Sequence, residues 1–100
     1  MWGLIARITV IPGKRDEMIE ILQNSAAEMP GCLSYIVARD KADENILWVT
    51  EAWQSQATHD ASLSLRQVQD AIPRAKPLVA GFERIAVTEP VWGTGVPTDG

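Results

Sequence analysis

Chemistry-bearing residues are scarce in this chain. It has a single cysteine, Cys32, so no internal disulfide can form and no cysteine cluster exists for zinc or an iron–sulfur centre. It has a single histidine, His59, which excludes HExxH-type and other multi-histidine sites within one chain. No apolar run approaches the ~18 residues of a membrane span, and Arg7 interrupts the N-terminal apolar stretch too early for a signal-peptide core. Basic runs are missing as well. With 9 Lys+Arg against 13 Asp+Glu, a formal net charge of -4, the chain lacks the electrostatic footprint of a nucleic-acid binder. No glycine-rich phosphate loop is present, since Gly93 and Gly95 have no helix after them. These absences leave a cytoplasmic protein with neither membrane nor nucleic-acid partner as the expectation.

Apolar residues, in contrast, are plentiful. They make up 46% of the 100 residues and include four tryptophans. The composition is that of an ordinary globular chain, not a disordered one, and the length suits one small domain. Such a chain must find somewhere to bury its surplus.

Residues 2–11 (WGLIARITVI) read as a strand, stopped by Pro12-Gly13. Asp16 to Met29 reads as a helix whose face carries Met18, Ile21, Leu22, Ser25 and Met29, with Asp16 and Glu17 suiting the macrodipole of its first turn. Pro30-Gly31 ends it. Cys32 to Arg39 and Ile46 to Trp53 read as strands joined by the polar turn 40–45. Ser55 starts a short helix running to about Leu63. Ser64-Leu65-Arg66-Gln67 then fits a capping box for a second helix, with Leu63 and Val68 as its hydrophobic staple. Pro73 should kink or restart that helix, and Pro77 marks its end. Phe82 to Thr88 reads as the fourth strand. The order β-α-β-β-α-β predicts a ferredoxin-like α+β domain over 1–90, a four-stranded antiparallel sheet with helices on one face. The stretch 91–100 reads as a tail, in which Trp92 is expected to dock somewhere.

The strands do not alternate as a half-solvated sheet should. Trp2, Leu4, Ala6, Ile8 and Val10 share one face, yet Ile5 and Ile11 lie on the other. Leu47, Val49 and Trp53 oppose Ile46 and Trp48 in the same way. Two helices cannot cover both faces, and the uncovered one measures about 25 Å by 19 Å from standard strand spacing. An apolar patch of that size marks an interface, so a two-fold homodimer through the sheet faces is expected. A longer native partner or an unusually apolar monomer are the alternatives.

On residue type alone His59 reads first as a surface helix histidine in the polar segment 54–60; the functional reading is a general base near neutral pH. His59 follows Trp53 by six residues, within reach of the end of the sheet. Asp60 should point elsewhere on the helix, whereas Ser62 could share its face. Trp53 and Trp48 lie on opposite faces of their strand, one for a cavity and one for an interface. Tyr35 brings a hydroxyl that needs a partner when buried. Arg7, Arg39, Glu51, Glu83 and Arg84 are charges within strands, which cross-strand ion pairs explain as well as a site does. Arg7 or Arg84 could hold an anionic substrate if it faces the cavity. Cys32 reads as an inert thiol.

The segment WVTEAWQSQATHDASLSLRQVQDAIPRAKPLVAGFE (48–83), with PGKRDEMIEIL and the PGCLSY turn, resembles the antibiotic biosynthesis monooxygenase family, in particular its small quinol-monooxygenase-like members. The informative residues are Glu51 and Trp53 at the end of the third strand and His59 to Leu63 in the helix after it. The resemblance implies a homodimeric α/β barrel that oxidises a quinol-like or polyphenolic aromatic with dioxygen, without metal or organic cofactor. Such a substrate, once deprotonated, can itself reduce dioxygen, so the protein needs only an apolar pocket, a base and an anion holder. The resemblance supports Trp53 as pocket wall and His59 as base or hydrogen-bond partner. Tyr35 and Arg84 are added as substrate-orienting groups on their residue types. A haem-degrading branch of the fold uses a histidine near the end of the following helix, where this chain has Ala71 and Ile72. The alternative function is a non-catalytic dimeric module that binds a small apolar ligand.

Overall fold

The structure, a computed structural model, describes residues 1–96. Four antiparallel strands, β1 (Trp2–Val10), β2 (Cys32–Arg39), β3 (Ile46–Trp53) and β4 (Val79–Thr88), form one sheet in the order β2-β3-β1-β4. Helices α1 (Arg15–Ser25), α2 (Gln56–Ser62) and α3 (Arg66–Ala75) cover one face, and a 3-10 turn, Lys76–Leu78, leads into β4. The expected ferredoxin-like arrangement is therefore present, with its second helix divided in two. Among the described residues, no helix is long and apolar enough to cross a membrane.

Register follows from the period-2 pattern. Trp2 pairs with Trp53, Leu4 with Glu51, Ala6 with Val49 and Ile8 with Leu47. These pairs point to the helices, and Leu4, Ala6, Ile8, Leu47, Val49 and Trp53 are all buried. Met18 and Ile21 of α1, Ala71 of α3 and Leu78 close the core over them. The opposite face carries Ile5, Arg7, Ile36, Ile46, Trp48 and Thr50, with no helix over it. There Arg7 donates to Glu83 at 2.7 Å and lies over the Trp48 ring, whose indole N–H donates to Asp40.

The helices depart from expectation in instructive ways. The first stops at Ser25, four residues before Met29, where the Ser25 hydroxyl and the Ala26 N–H both donate to the Leu22 carbonyl. The capping box lies at Ser55: its hydroxyl accepts from Thr58 N–H, and Thr58 Oγ1 accepts from Ser55 N–H. Ser64 does not cap α3. Its own N–H, which Gln67 would have had to satisfy, already donates to Ala61 O, and the Gln67 amide donates to Ala27 O instead. Leu65 stands at the N-cap with no side-chain bond. The helix α3 continues through Pro73 to Ala75 as one element. Trp92 does not dock against the described residues of its own chain; it is 73% exposed. The end of the tail, 97–100, lies outside the described residues.

Gly31 sets the entry to α2. Its φ of +80° belongs to the left-handed region, its carbonyl accepts from Gln54 N–H, and a Cβ there would lie 2.6 Å from the Cβ of Thr58. Gly13 has a matching φ of +81° but open space around it. Gly13→Ala should therefore cost about 1 kcal/mol from backbone conformation alone. Gly31→Ala should cost about 3 kcal/mol or more, since strain and collision add. Urea unfolding midpoints of the two variants check this; equal costs would contradict it.

Candidate active site

Alternation along β3 sends Glu51 and Trp53 to the helix side, next to the core residues Leu47 and Val49. Beyond the core, towards the Trp53 end, sheet and helices part around a cavity of about 240 Å³. Its walls are mostly apolar, with Ile21 and Met29 on one side and Leu63, Val68 and Ile72 on the other. Leu63 and Ile72 are 47% and 37% exposed, which puts them at its mouth. The cavity exceeds the ~150 Å³ that holds benzene, so one- or two-ring aromatics match it in size.

His59, Trp53, Tyr35 and Arg84 all line this cavity. His59 is only 5% exposed, so the surface-helix reading of this residue fails. Its ring lies 4.6 Å from that of Trp2 and 5.4 Å, edge-on, from that of Trp53. The expectation that Asp60 points away is also wrong: Asp60 Oδ1 lies 3.0 Å from His59 Nδ1. The rule that neighbouring helical residues face apart concerns the ends of side chains. Nδ1 is the ring nitrogen nearest the backbone, and a short carboxylate one residue on can reach it. This contact favours the tautomer with hydrogen on Nδ1 and leaves Nε2 as the basic atom. Ser62, buried beside it, donates to His59 O.

Glu51, in the sequence a strand charge and a family residue without an assigned role, also lines the cavity. Trp53 Nε1 donates to its Oε1 at 3.0 Å, and Tyr35 is its register partner on β2. Burial pushes the Glu51 carboxyl above its ordinary range, while the Trp53 hydrogen bond and the charges of His59 and Arg84 oppose that rise. Burial, with the Glu51 charge added, likewise pushes the Tyr35 phenol up. The available signal was a charge at position 51 within the inward row 47, 49, 51, 53. Arg7 does not reach the cavity, because it lies on the other face with Glu83. Cys32 is half-buried outside the lining, its thiol pushed up first by burial and then by Glu51. Among the described residues, no three His, Cys, Asp or Glu side chains gather as metal ligands.

The family model for antibiotic biosynthesis monooxygenases matches residues 1–74. The chain belongs to that family. A Chloroflexus aurantiacus structure provisionally named an antibiotic biosynthesis monooxygenase is 48% identical, with a TM-score of 0.91 over 96% of this chain and 98% of that one. A similarly named Caulobacter crescentus structure is 26% identical, with a TM-score of 0.78 over 91% and 90%. One from Nitrosomonas europaea, 12% identical with a TM-score of 0.82 over 92% and 100%, shares the fold. No curated protein sequence matches the chain. Membership supports a monooxygenase-like or small-molecule-binding role for this antibiotic biosynthesis monooxygenase family member.

The raised Glu51 carboxyl makes a stability prediction. A carboxyl held above its unfolded value of 4.5 keeps its proton in the folded state after the unfolded chain has lost it. Its stabilising contribution is whole below that value and is lost as pH rises through the folded pKa. Glu51→Gln keeps an acceptor for the Trp53 indole without the charge. Thermal melts should show the variant gaining on the wild type as pH rises from the acid range to neutrality. A constant difference in Tm across that range would refute the assignment.

Proposed function

We propose that this protein is a cytoplasmic homodimeric monooxygenase that oxidises a quinol-like or polyphenolic aromatic with dioxygen and draws the electrons from the substrate itself. The observation that carries the reading is a buried imidazole, backed by Asp60 and wedged between two indoles, on the wall of a mostly apolar cavity. His59 Nε2 takes a proton from a ring hydroxyl. The resulting anion is electron-rich enough to reduce dioxygen, a carbon–oxygen bond forms, and loss of water leaves a hydroxylated quinone. One oxygen atom enters the ring, the other leaves as water, and a quinol is oxidised without any other reductant. Trp53 holds the ring and excludes water, while Tyr35 and Arg84 orient the oxygen substituents and stabilise negative charge.

Oxygen uptake with a panel of hydroquinones tests this. Wild type should exceed the spontaneous rate. His59→Ala should lower the enzymatic rate about 10²- to 10⁴-fold, the range for loss of a general base. Asp60→Asn should cost less, and Trp53→Phe should also impair turnover. Uptake no faster than the spontaneous rate across the panel would favour a binding module, a reading that the apolar lining of the cavity also suits.

The homodimer rests on the uncovered sheet face. Ile36 is 56% exposed there. A second copy packed face to face would cover the apolar residues. The single free thiol suits a reducing compartment. Thr50, exposed on the same face, tolerates a charge in a monomer but not in such a dimer. Analytical ultracentrifugation should show a dimer for the wild type and a folded monomer for Thr50→Lys. A stable wild-type monomer at low micromolar concentration would defeat the dimer.

A further inference from the structure

Three polar side chains on the sheet floor of the cavity make little use of one another. Tyr35 and Glu51 are cross-strand partners, and Arg84 lies on β4 beyond β1. Among the described residues, Glu51 Oε1 accepts from the Trp53 indole, whereas no hydrogen bond reaches Glu51 Oε2, Tyr35 Oη or the Arg84 guanidinium. Among the described residues only Arg7 Nε is fully buried without a partner, so these atoms keep some accessible surface and are open to a ligand in the cavity. A carboxylate oxygen next to a bonded one, on a residue that lines the cavity, is an acceptor that a ligand can fill.

We propose that Glu51 selects the ligands of this cavity: Oε1 stays with Trp53, and Oε2 accepts a hydrogen bond from a hydroxyl of an aromatic ligand. Phenols and diols are therefore held in preference to ring-matched methyl ethers. This rests on the reading that the cavity binds the substrate, and not on the ligand being oxygenated. An ionised carboxylate only accepts, and an ether oxygen only accepts, so the two repel; a phenol donates. A protonated Glu51 donates instead and loses the distinction. The groups facing Glu51 are Tyr35 and Cys32 on β2, His59 on α2 with Asp60 behind it, and Arg84 on β4. Glu51→Gln keeps an oxygen for the indole and turns an amide donor towards the ligand, which treats phenol and ether alike.

The test is binding under anaerobic conditions of 2-naphthol and 2-methoxynaphthalene, followed by calorimetry. The methyl group's bulk is common to wild type and variant, so it cancels when their preferences are compared. Wild type should prefer the naphthol by about tenfold or more, and E51Q should bring the two within about twofold, as expected for a site built around one hydroxyl. The wild-type preference should grow as pH rises from the acid range and the carboxyl, held above its ordinary range, ionises. The Trp53 indole N–H resonance, identified by its loss in Trp53→Phe, should persist in E51Q and shift when naphthol binds the wild type. Equal binding of both compounds by wild type, or E51Q keeping the wild-type preference, would overturn the proposal. Loss of the preference in Tyr35→Phe instead would move the selecting group to Tyr35 and overturn it too. Failure of wild type to bind either compound would overturn the ligand-site reading and this proposal together. Selective binding without oxygen uptake would leave the selection standing and remove only the oxygenation.

Discussion

The site depends on where Trp53 comes to rest. It is the last residue of β3, 1% exposed, and one of the largest side chains that the fold buries completely. Its burial fixes the face to which β3 turns, and so the inward position of Glu51. A one-residue slip between β1 and β3 would turn both residues outward along with the rest of the core row. Trp53 also directs the path of the chain beyond the strand. The chain leaves the sheet with Gln54 tied to Gly31, and the Ser55 capping box starts a helix at once. That short helix carries His59 back against the edge of the Trp53 ring, and β1 supplies Trp2 on the other side through its register pairing. His59, the cavity wall and the cavity floor are thus held by one buried indole and the turn after it.

Much of this was legible because strands write their faces in a period of two. The row Leu4, Ala6, Ile8, Val10 and the row Leu47, Val49, Trp53 point inward as their spacing requires. The opposite placement of Trp48 and Trp53 follows from the same alternation. Local capping was less legible, because a motif names donors and acceptors without saying which are already taken. Ser64 and Gln67 fit a capping box in spacing, but the turn from α2 had already used the Ser64 N–H. Ser55, with Thr58 as its reciprocal partner, had not lost its groups in this way. The His59–Asp60 contact was missed for a related reason. Helical spacing describes the directions of side chains, not the reach of a carboxylate to the near side of an imidazole.

The cavity owes its existence to the break between α2 and α3. A single long helix would have laid one continuous apolar stripe onto the sheet. Instead the chain turns at residues 63–65 and restarts, which leaves Leu63 and Ile72 partly exposed around an opening rather than packed in the core. At the opposite end of the same helical layer, Leu78 and Met18 close tightly over Ile8, Val10 and Leu47, with Ile21 and Ala71 on the boundary between core and cavity. One end of the layer is therefore built for stability and the other for contents. An apolar side chain lining an opening costs hydrophobic stabilisation that a ligand restores when it fills the space.

Two indole–carboxylate pairs on β3 show how location, not residue type, distinguishes a site from a scaffold. Trp48 donates to Asp40 at 2.9 Å and Trp53 donates to Glu51 at 3.0 Å, so the two hydrogen bonds are nearly alike. Their electrostatic consequences are opposite. Asp40 lies in an open turn and gathers three hydrogen bonds, from the Trp48 indole and from the backbone of Asp43 and Ala42, which together hold its carboxyl below the ordinary range. It remains a charged anchor for the β2–β3 turn. Glu51 receives one comparable bond, but burial outweighs it and pushes the carboxyl up. Glu51 thus holds its proton to higher pH than an ordinary carboxyl, and Asp40 loses its proton at lower pH. The same pair of residue types therefore acts as a staple on the open side of the sheet and as a proton-responsive surface on the cavity side. The difference follows from the single step along β3 that separates the row of Trp48 from the row of Trp53.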